Sequence, residues 1–113
     1  MEKLIKEILT KIQNYSLKQL DIIQYCRGRM QERNIEEELL LSTLFSKDKM
    51  YYVEEQLVPH KGIIEKRYKL IFKISSTYSL IIVVAFYPKV LKVVNVIKTS
   101  KGLEKKWRKK ILK

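Results

Sequence analysis

The sequence contains few residues that interrupt secondary structure or cross-link the chain. Among its 113 residues are three Gly, two Pro, one Cys and one His. The scarcity of Gly and Pro argues against long structureless loops. The single thiol, Cys26, cannot form an internal disulfide, and one Cys with one His cannot supply the usual ligands of a structural zinc site. A metal held by carboxylates stays open as an alternative, but no Asp/Glu cluster in the sequence indicates one. We therefore predict no metal and no cofactor, and we interpret Cys26 as a small buried residue on a helix.

Long hydrophobic runs are also missing. The longest apolar run, Leu80 to Tyr87, has eight residues, whereas a membrane-spanning helix needs about 20. The first seven residues include four charged side chains, where a signal peptide would need an apolar stretch. These features predict a cytoplasmic protein without a membrane partner.

Acidic residues are scarce in the second half of the chain. Residues 1–48 hold eight Lys/Arg and eight Asp/Glu, whereas residues 49–113 hold sixteen Lys/Arg and four Asp/Glu, a net charge of +12. Lys-rich surfaces that serve thermal stability are usually paired with Glu. We therefore expect an anionic partner, RNA in the first place and DNA in the second. The alternative is a basic face that is merely solvated.

The first 46 residues show the apolar spacing that is typical of amphipathic helices. Ser16 and Gln19 match a capping box, which places the start of the second helix there. Asn34 is expected to end this helix and to cap the third, since Glu37 follows three residues later. The predicted helices span residues 2–13, about 17–33 and 35–46.

Beyond residue 49 the periodicity becomes that of strands. Tyr68 and Leu70 alternate with Arg67 and Lys69, which predicts one apolar and one polar face. The predicted strands are a short one near Tyr51 and Val53, then 64–74, 80–86 and 90–97, with a turn-rich stretch at 59–62. We predict a single α+β domain, residues 1–113, whose N-terminal helices pack on a three- to four-stranded antiparallel meander sheet.

The last residues predict a basic amphipathic helix. Leu103, Trp107 and Ile111 recur every four positions and form an apolar stripe that can dock on the domain. Cations flank this stripe and would neutralise phosphates without reading sequence. The predicted nucleic-acid-binding residues here are Lys98, Lys101, Lys105, Lys106, Arg108, Lys109 and Lys110.

The second helix carries another candidate site. Tyr25, Arg29 and Arg33 recur every four positions and share one stripe of the helix. Planar guanidinium groups fork onto phosphate oxygens, so this stripe is a candidate phosphate site. If the polar face of the 64–74 strand meets this helix, Arg67 joins it. The alternative is that neighbouring glutamates neutralise the arginines.

The stretch Tyr25-Cys26-Arg27-Gly28-Arg29-Met30-Gln31-Glu32-Arg33-Asn34-Ile35 resembles a family signature. That family is an uncharacterised prokaryotic domain family grouped with RelE/ParE-type toxins, and its signature reads approximately His-Ala-x-x-Arg-Met-x-Glu-Arg-Gly-Ile. The acidic run that follows, the Arg67-Tyr68 pair and the strand of residues 93–97 are also similar. Tyr25 replaces the histidine of the signature and Asn34 replaces its glycine.

The resemblance implies a RelE/ParE-like sheet packed by helices and metal-independent cleavage of RNA. In that hypothesis Arg29, Arg33 and Arg67 bind phosphate, and Tyr25 or Tyr68 transfers a proton. Two alternatives stay open. One is a non-catalytic nucleic-acid-binding module, and the other is a protein-interaction module that is neutralised by an acidic, antitoxin-like protein.

Overall fold

The computed structural model describes residues 1–100, which form a five-stranded sheet with three helices on one face. The predicted α+β class is confirmed, while the predicted basic helix beyond residue 100 lies outside the described residues. No helix within residues 1–100 has the length and apolar content required to span a bilayer. In chain order the elements are α1 (Glu2–Gln13), a single 3-10 turn (Leu17–Gln19), β1 (Leu20–Ile22), α2 (Gln24–Glu32), α3 (Glu37–Leu44), β2 (Met50–His60), β3 (Ile63–Lys73), β4 (Tyr78–Phe86) and β5 (Leu91–Ser100).

The strand order across the sheet is β1-β5-β4-β3-β2. Strands β2 to β5 pair antiparallel with their neighbours in the chain, so the predicted meander is confirmed. The predicted strand number is wrong, because β1 adds a fifth strand. It pairs parallel with β5 and makes the sheet mixed.

Residues 20–22 form β1, although the sequence predicts a helix there. The capping box is present, with the Ser16 backbone N–H donating to Gln19 Oε1 at 2.9 Å. It starts only one 3-10 turn, however. The β-branched Ile22 favours an extended backbone, and the free edge of β5 supplies backbone partners, with Ile22 opposite Val93. Tertiary pairing therefore overrides the helical spacing.

Asn34 ends α2 in the left-handed conformation, with φ 55°. The Ile35 N–H donates to the Met30 carbonyl at 2.9 Å, which satisfies an otherwise free carbonyl of the last turn. The predicted helix stop is thus confirmed. The predicted capping of the third helix is wrong, because α3 begins after Glu36 and no side chain caps it.

Strand β2 is longer than predicted and includes Pro59 and His60, which the sequence pattern assigns to a turn. Pro59 is tolerated because β2 is an edge strand, where a missing N–H need not break a ladder. The turn itself is confined to Lys61 and Gly62, both with positive φ. His60 pairs with Ile63 across it, so the connection is a two-residue hairpin that suits a left-handed glycine.

The sheet has two different faces. On the first face, Leu70 and Phe72 of β3 are fully buried in one core with Cys26 and Met30 of α2, which confirms the interpretation of Cys26. Burial raises the pKa of the Cys26 thiol to about 11. Alternate residues of each strand lie on the second face. There the buried apolar residues are Ile71, Ile81, Val83, Ala85 and Val94.

Candidate anion-binding site on the sheet

Four polar side chains meet on the second face of the sheet. The carboxylate of Glu65, only 4% exposed, accepts hydrogen bonds from Arg67 Nε at 2.7 Å, from Lys92 Nζ at 3.0 Å and from the Tyr87 hydroxyl. We call these four residues the Glu65 cluster. A buried carboxylate is stable only when it is paired in this way.

The strand register brings the Glu65 cluster together. Glu65 and Arg67 lie two residues apart on β3 and therefore share a face. On one side, Ala85 of β4 pairs with Lys92 of β5. On the other side, the neighbouring pair of β4 and β3 is Val84 with Tyr68, so Ala85 lies beside Arg67. Because Ala85 has only a methyl group, the longer side chains on both sides can converge over it.

The hydrogen bonds fix the protonation of the cluster. Burial alone would raise the pKa of Glu65, but the hydrogen bonds from Tyr87, Arg67 and Lys92 and the charge of Lys92 outweigh it and lower the pKa to about 2. The same hydrogen bond, together with burial, raises the pKa of Tyr87. At neutral pH the cluster thus contains one carboxylate, two cations and a neutral phenol, with a net charge of +1.

Arg67 retains capacity to bind a ligand. Its Nε is taken by Glu65, but its two Nη groups form no hydrogen bond within residues 1–100, and 18% of the side chain is exposed. Lys92 is similarly placed, with 16% of its side chain exposed. The carboxylate fixes the orientation of the guanidinium at Nε, which leaves two Nη groups of the kind that bind phosphate oxygens in pairs.

Further cations lie at the same end of the sheet, which we call the cluster end. Lys61 occupies the β2–β3 turn and Lys89 the β4–β5 turn, and both are exposed. Lys66 is also here, in an exposed ion pair with Glu55 at 3.7 Å. At the opposite end are Lys49, Lys73 and Lys98. Residues 49–100 hold nine Lys/Arg and three Glu, so most of the excess charge has no acidic partner within them.

The predicted stripe on α2 does not form one site with Arg67. Helix α2 packs on the first face, whereas Arg67 lies on the second. Tyr25 is 61% exposed. Arg29 pairs with Glu32 at 3.1 Å, and its Nε is buried without a hydrogen-bond partner in residues 1–100. The structure thus separates residues that the sequence hypothesis groups together.

The Arg33 side chain is bound to the protein's own β5 and is not left open for a ligand. Its Nη1 donates to the Val96 carbonyl at 2.7 Å and to Asn95 Oδ1 at 3.1 Å. Both acceptors belong to β5, beyond the three residues that pair with β1. Arg33 therefore ties the end of α2 to a part of β5 that, among residues 1–100, has no strand partner on its outer side.

Two other predicted positions lie away from the cluster. Tyr68 is 7% exposed and packs edge-on against Phe86 at 5.5 Å on the first face, a position that does not support proton transfer to a substrate. Lys98 lies at the opposite end of the sheet, 4.4 Å from the centre of the Tyr78 ring. The remaining predicted cations, Lys101, Lys105, Lys106, Arg108, Lys109 and Lys110, lie outside the described residues.

Sequence reasoning identified Arg67 but missed Glu65, Tyr87 and Lys92. Glu65 and Arg67 are two positions apart in a strand, a spacing that signals a shared face. Tyr87 and Lys92 follow from the register of β4 and β5, which the sequence does not specify. Within residues 1–100, no three His, Cys, Asp or Glu side chains are grouped to hold a metal ion.

Comparison with known proteins gives no relative for this chain: no family model, no curated protein and no solved structure matches it. Its function is therefore inferred from the residues and geometry described above.

Proposed function

We propose that this chain is a toxin-like protein that binds RNA through the cluster end of the sheet. The observation that carries the proposal is the guanidinium of Arg67, held at Nε by Glu65, with no hydrogen bond from either Nη group to residues 1–100 and with Lys92 beside it. Exposed Lys61 and Lys89 would extend the contact along a phosphate backbone. The resemblance of residues 25–35 to a family grouped with RelE/ParE-type toxins implies RNA as the substrate and agrees with this proposal.

The protonation states favour binding over catalysis. Cleavage by a ribose 2′-hydroxyl needs a general base whose pKa lies near neutrality. Hydrogen bonds hold the pKa of Glu65 at about 2, so its carboxylate is a weak base. The pKa of Tyr87 is raised, which makes its hydroxyl a weak acid. We therefore propose a non-catalytic RNA-binding role for the free protein.

A metal-independent endoribonuclease is the second candidate. Two cations beside a phenol favour it, because Arg67 and Lys92 could stabilise a phosphorane and Tyr87 could protonate the leaving oxygen. Incubating the protein with RNA in the presence of EDTA tests this candidate. Cleavage that is lost in Tyr87→Phe, with RNA affinity retained, would establish the enzyme, whereas intact RNA supports the binding role.

If the partner were a protein instead of RNA, it would also need a negatively charged surface. An acidic, antitoxin-like protein bound at the cluster end would compete with RNA for Arg67 and Lys92. RNA is preferred here because forked guanidinium groups and dispersed lysines suit repeated phosphates.

Fluorescence anisotropy with a labelled single-stranded RNA at about 50 mM salt tests the binding proposal. Arg67→Ala should weaken affinity about tenfold or more, since hydrogen bonds to charged groups are worth about 1.5–3 kcal/mol. Arg67→Lys keeps the charge without the fork and should fall between wild type and Arg67→Ala.

The matched control for this experiment is Arg27→Ala. Arg27 lies on α2 in an exposed ion pair with Glu37 at 3.5 Å, away from the second face. It should leave RNA affinity within about twofold of wild type. If thermal melting shows that both variants are folded, equal losses of RNA affinity in Arg67→Ala and Arg27→Ala would contradict a specific phosphate site.

A further inference from the structure

A cleft adjoins the Glu65 cluster at the cluster end. It lies between the end of α1 and the β4–β5 turn and has a volume of about 310 Å³, the lower limit of typical small-molecule sites. Lys11 and Asn14 line it from the helix side, and Phe86 and Tyr87 from the strand side. The residues that line it thus include two aromatic residues, a lysine and an asparagine.

The aromatic walls are held in place by hydrogen bonds and packing. The Tyr15 hydroxyl donates to the Tyr87 carbonyl at 2.6 Å, and the Tyr15 and Phe86 rings lie 6.0 Å apart at 33°. Gln19 Nε2 donates to the Lys89 carbonyl at 3.4 Å. These contacts join α1, the 3-10 turn and the β4–β5 turn into one rim.

Two polar side chains of the cleft, Asn14 and Lys11, form no hydrogen bond or ion pair within residues 1–100. The Asn14 side-chain amide forms no hydrogen bond within residues 1–100 and offers both a donor and an acceptor. Lys11 Nζ lies 5.2 Å from the centre of the Phe86 ring and carries a positive charge at the cleft wall. An aromatic ring can stack on the face of a base, an amide can hydrogen-bond to its edge, and a cation can pair with a phosphate, so this combination of groups suits a nucleotide.

Tyr87 connects the cleft to the Glu65 cluster. It lines the cleft while its hydroxyl donates to Glu65 on the second face. Tyr87 is the one residue that the cleft and the cluster share, so a nucleotide chain with a phosphate on Arg67 would have to pass Tyr87 at the end of β4 to place a neighbouring base in the cleft. This arrangement is open to single strands only, because paired bases are stacked inside a duplex.

Resting on the proposed function, we infer that the cleft binds one unpaired base of the RNA whose phosphate is bound by Arg67 and Lys92. The substrate class is thus single-stranded RNA, and the base contributes affinity in addition to the phosphate. Stacking on an aromatic wall and hydrogen bonding to Asn14 give this contribution.

The test compares a short single-stranded RNA with an abasic oligonucleotide of the same length and charge. Wild type should bind the RNA about tenfold more tightly than the abasic strand, as expected for one stacked base. Asn14→Ala and Tyr15→Leu should each reduce that preference by about threefold or more, while affinity for the abasic strand stays unchanged. Lys18→Gln, an exposed cation outside the cleft wall, is the control.

The outcomes separate this inference from the proposed function. Equal binding of RNA and abasic strand by wild type would overturn the base site and leave the phosphate site standing. Failure to bind either strand would overturn both. Because Asn14 is exposed, its variant should fold even if Tyr15→Leu does not. A preference for RNA that persists in folded Asn14→Ala and Tyr15→Leu would place the base elsewhere and also overturn the inference.

Discussion

At the scale of single residues, Glu65 has the most distinctive environment among the described titratable groups. It is a buried carboxylate that three donors hold in its charged form. It holds Arg67 and Lys92 in position, and the proposed function assigns the phosphate contacts to these two cations. Removing it would leave two partly buried cations without their acceptor, which is costly in itself.

Glu65 makes a pH-dependent contribution to the free energy of unfolding. Its folded pKa of about 2 lies below the ordinary value of 4.5, so the contribution is present above pH 4.5 and disappears as the pH falls towards 2. A shift of this size corresponds to about 3 kcal/mol. Urea unfolding between pH 6 and pH 2 should show a decline that is much shallower in Glu65→Gln.

The matched control for the pH experiment is Glu55→Gln. Glu55 pairs with Lys66 on the surface, where both side chains are about half exposed, so its pair contributes little. The pH dependence of Glu55→Gln should follow that of wild type. If Glu65→Gln followed it too, the hydrogen bonds of the cluster would not stabilise the fold as described.

At the scale of elements, the link between α2 and β5 depends on Arg33. Its two hydrogen bonds satisfy the carbonyl of fully buried Val96 and the side chain of Asn95. Arg33→Ala should lower the free energy of unfolding by about 1–3 kcal/mol, because an acceptor is left unsatisfied. Thermal or urea unfolding measures this loss.

The same variant distinguishes a structural arginine from a ligand-binding one. RNA affinity of folded Arg33→Ala should stay within about twofold of wild type, in contrast to Arg67→Ala. Arg27→Ala, from an exposed ion pair, should lose less than about 0.5 kcal/mol. A large loss of RNA affinity in Arg33→Ala without loss of stability would instead indicate that Arg33 binds phosphate.

The sequence specifies most of the elements because their apolar spacing is local. Helix α1 and strands β3 to β5 lie within a few residues of their predicted bounds. Strand β1 was missed because its extended state depends on pairing with β5, about seventy residues later in the chain. Pro59 concealed the second half of β2, because a proline is compatible with a strand only at a sheet edge.

The candidate site is less predictable than the elements, for a physical reason. Arg33 and Arg67 are the same residue type in similar polar surroundings, and only tertiary packing gives one a backbone carbonyl and the other a carboxylate. The meeting of Glu65 with Lys92 depends on strand register, which shifts at the bulge between Val83 and Val84. No local pattern encodes such a contact.

At the scale of the whole molecule, exposed lysines lie at both ends of the sheet. Lys61 and Lys89 lie in the turns at the cluster end, whereas Lys49 and Lys73 lie at the opposite end, and all four are exposed. Because lysines lie at both ends, the effect of where a positive charge lies can be measured separately from the effect of the total net charge. A polyanion attracted only by net charge would respond equally to losses at either end.

The most direct measurement is therefore the salt dependence of RNA affinity in two double variants of equal charge. Binding of single-stranded RNA to wild type should weaken steeply with salt, and removing one lysine that binds a phosphate should reduce the slope of log affinity against log salt by about 0.7. Lys61→Gln with Lys89→Gln should reduce the slope, while Lys49→Gln with Lys73→Gln should leave it near the wild-type value. Equal slopes in the two double variants, or no binding by wild type at about 50 mM salt, would contradict RNA binding at the cluster end.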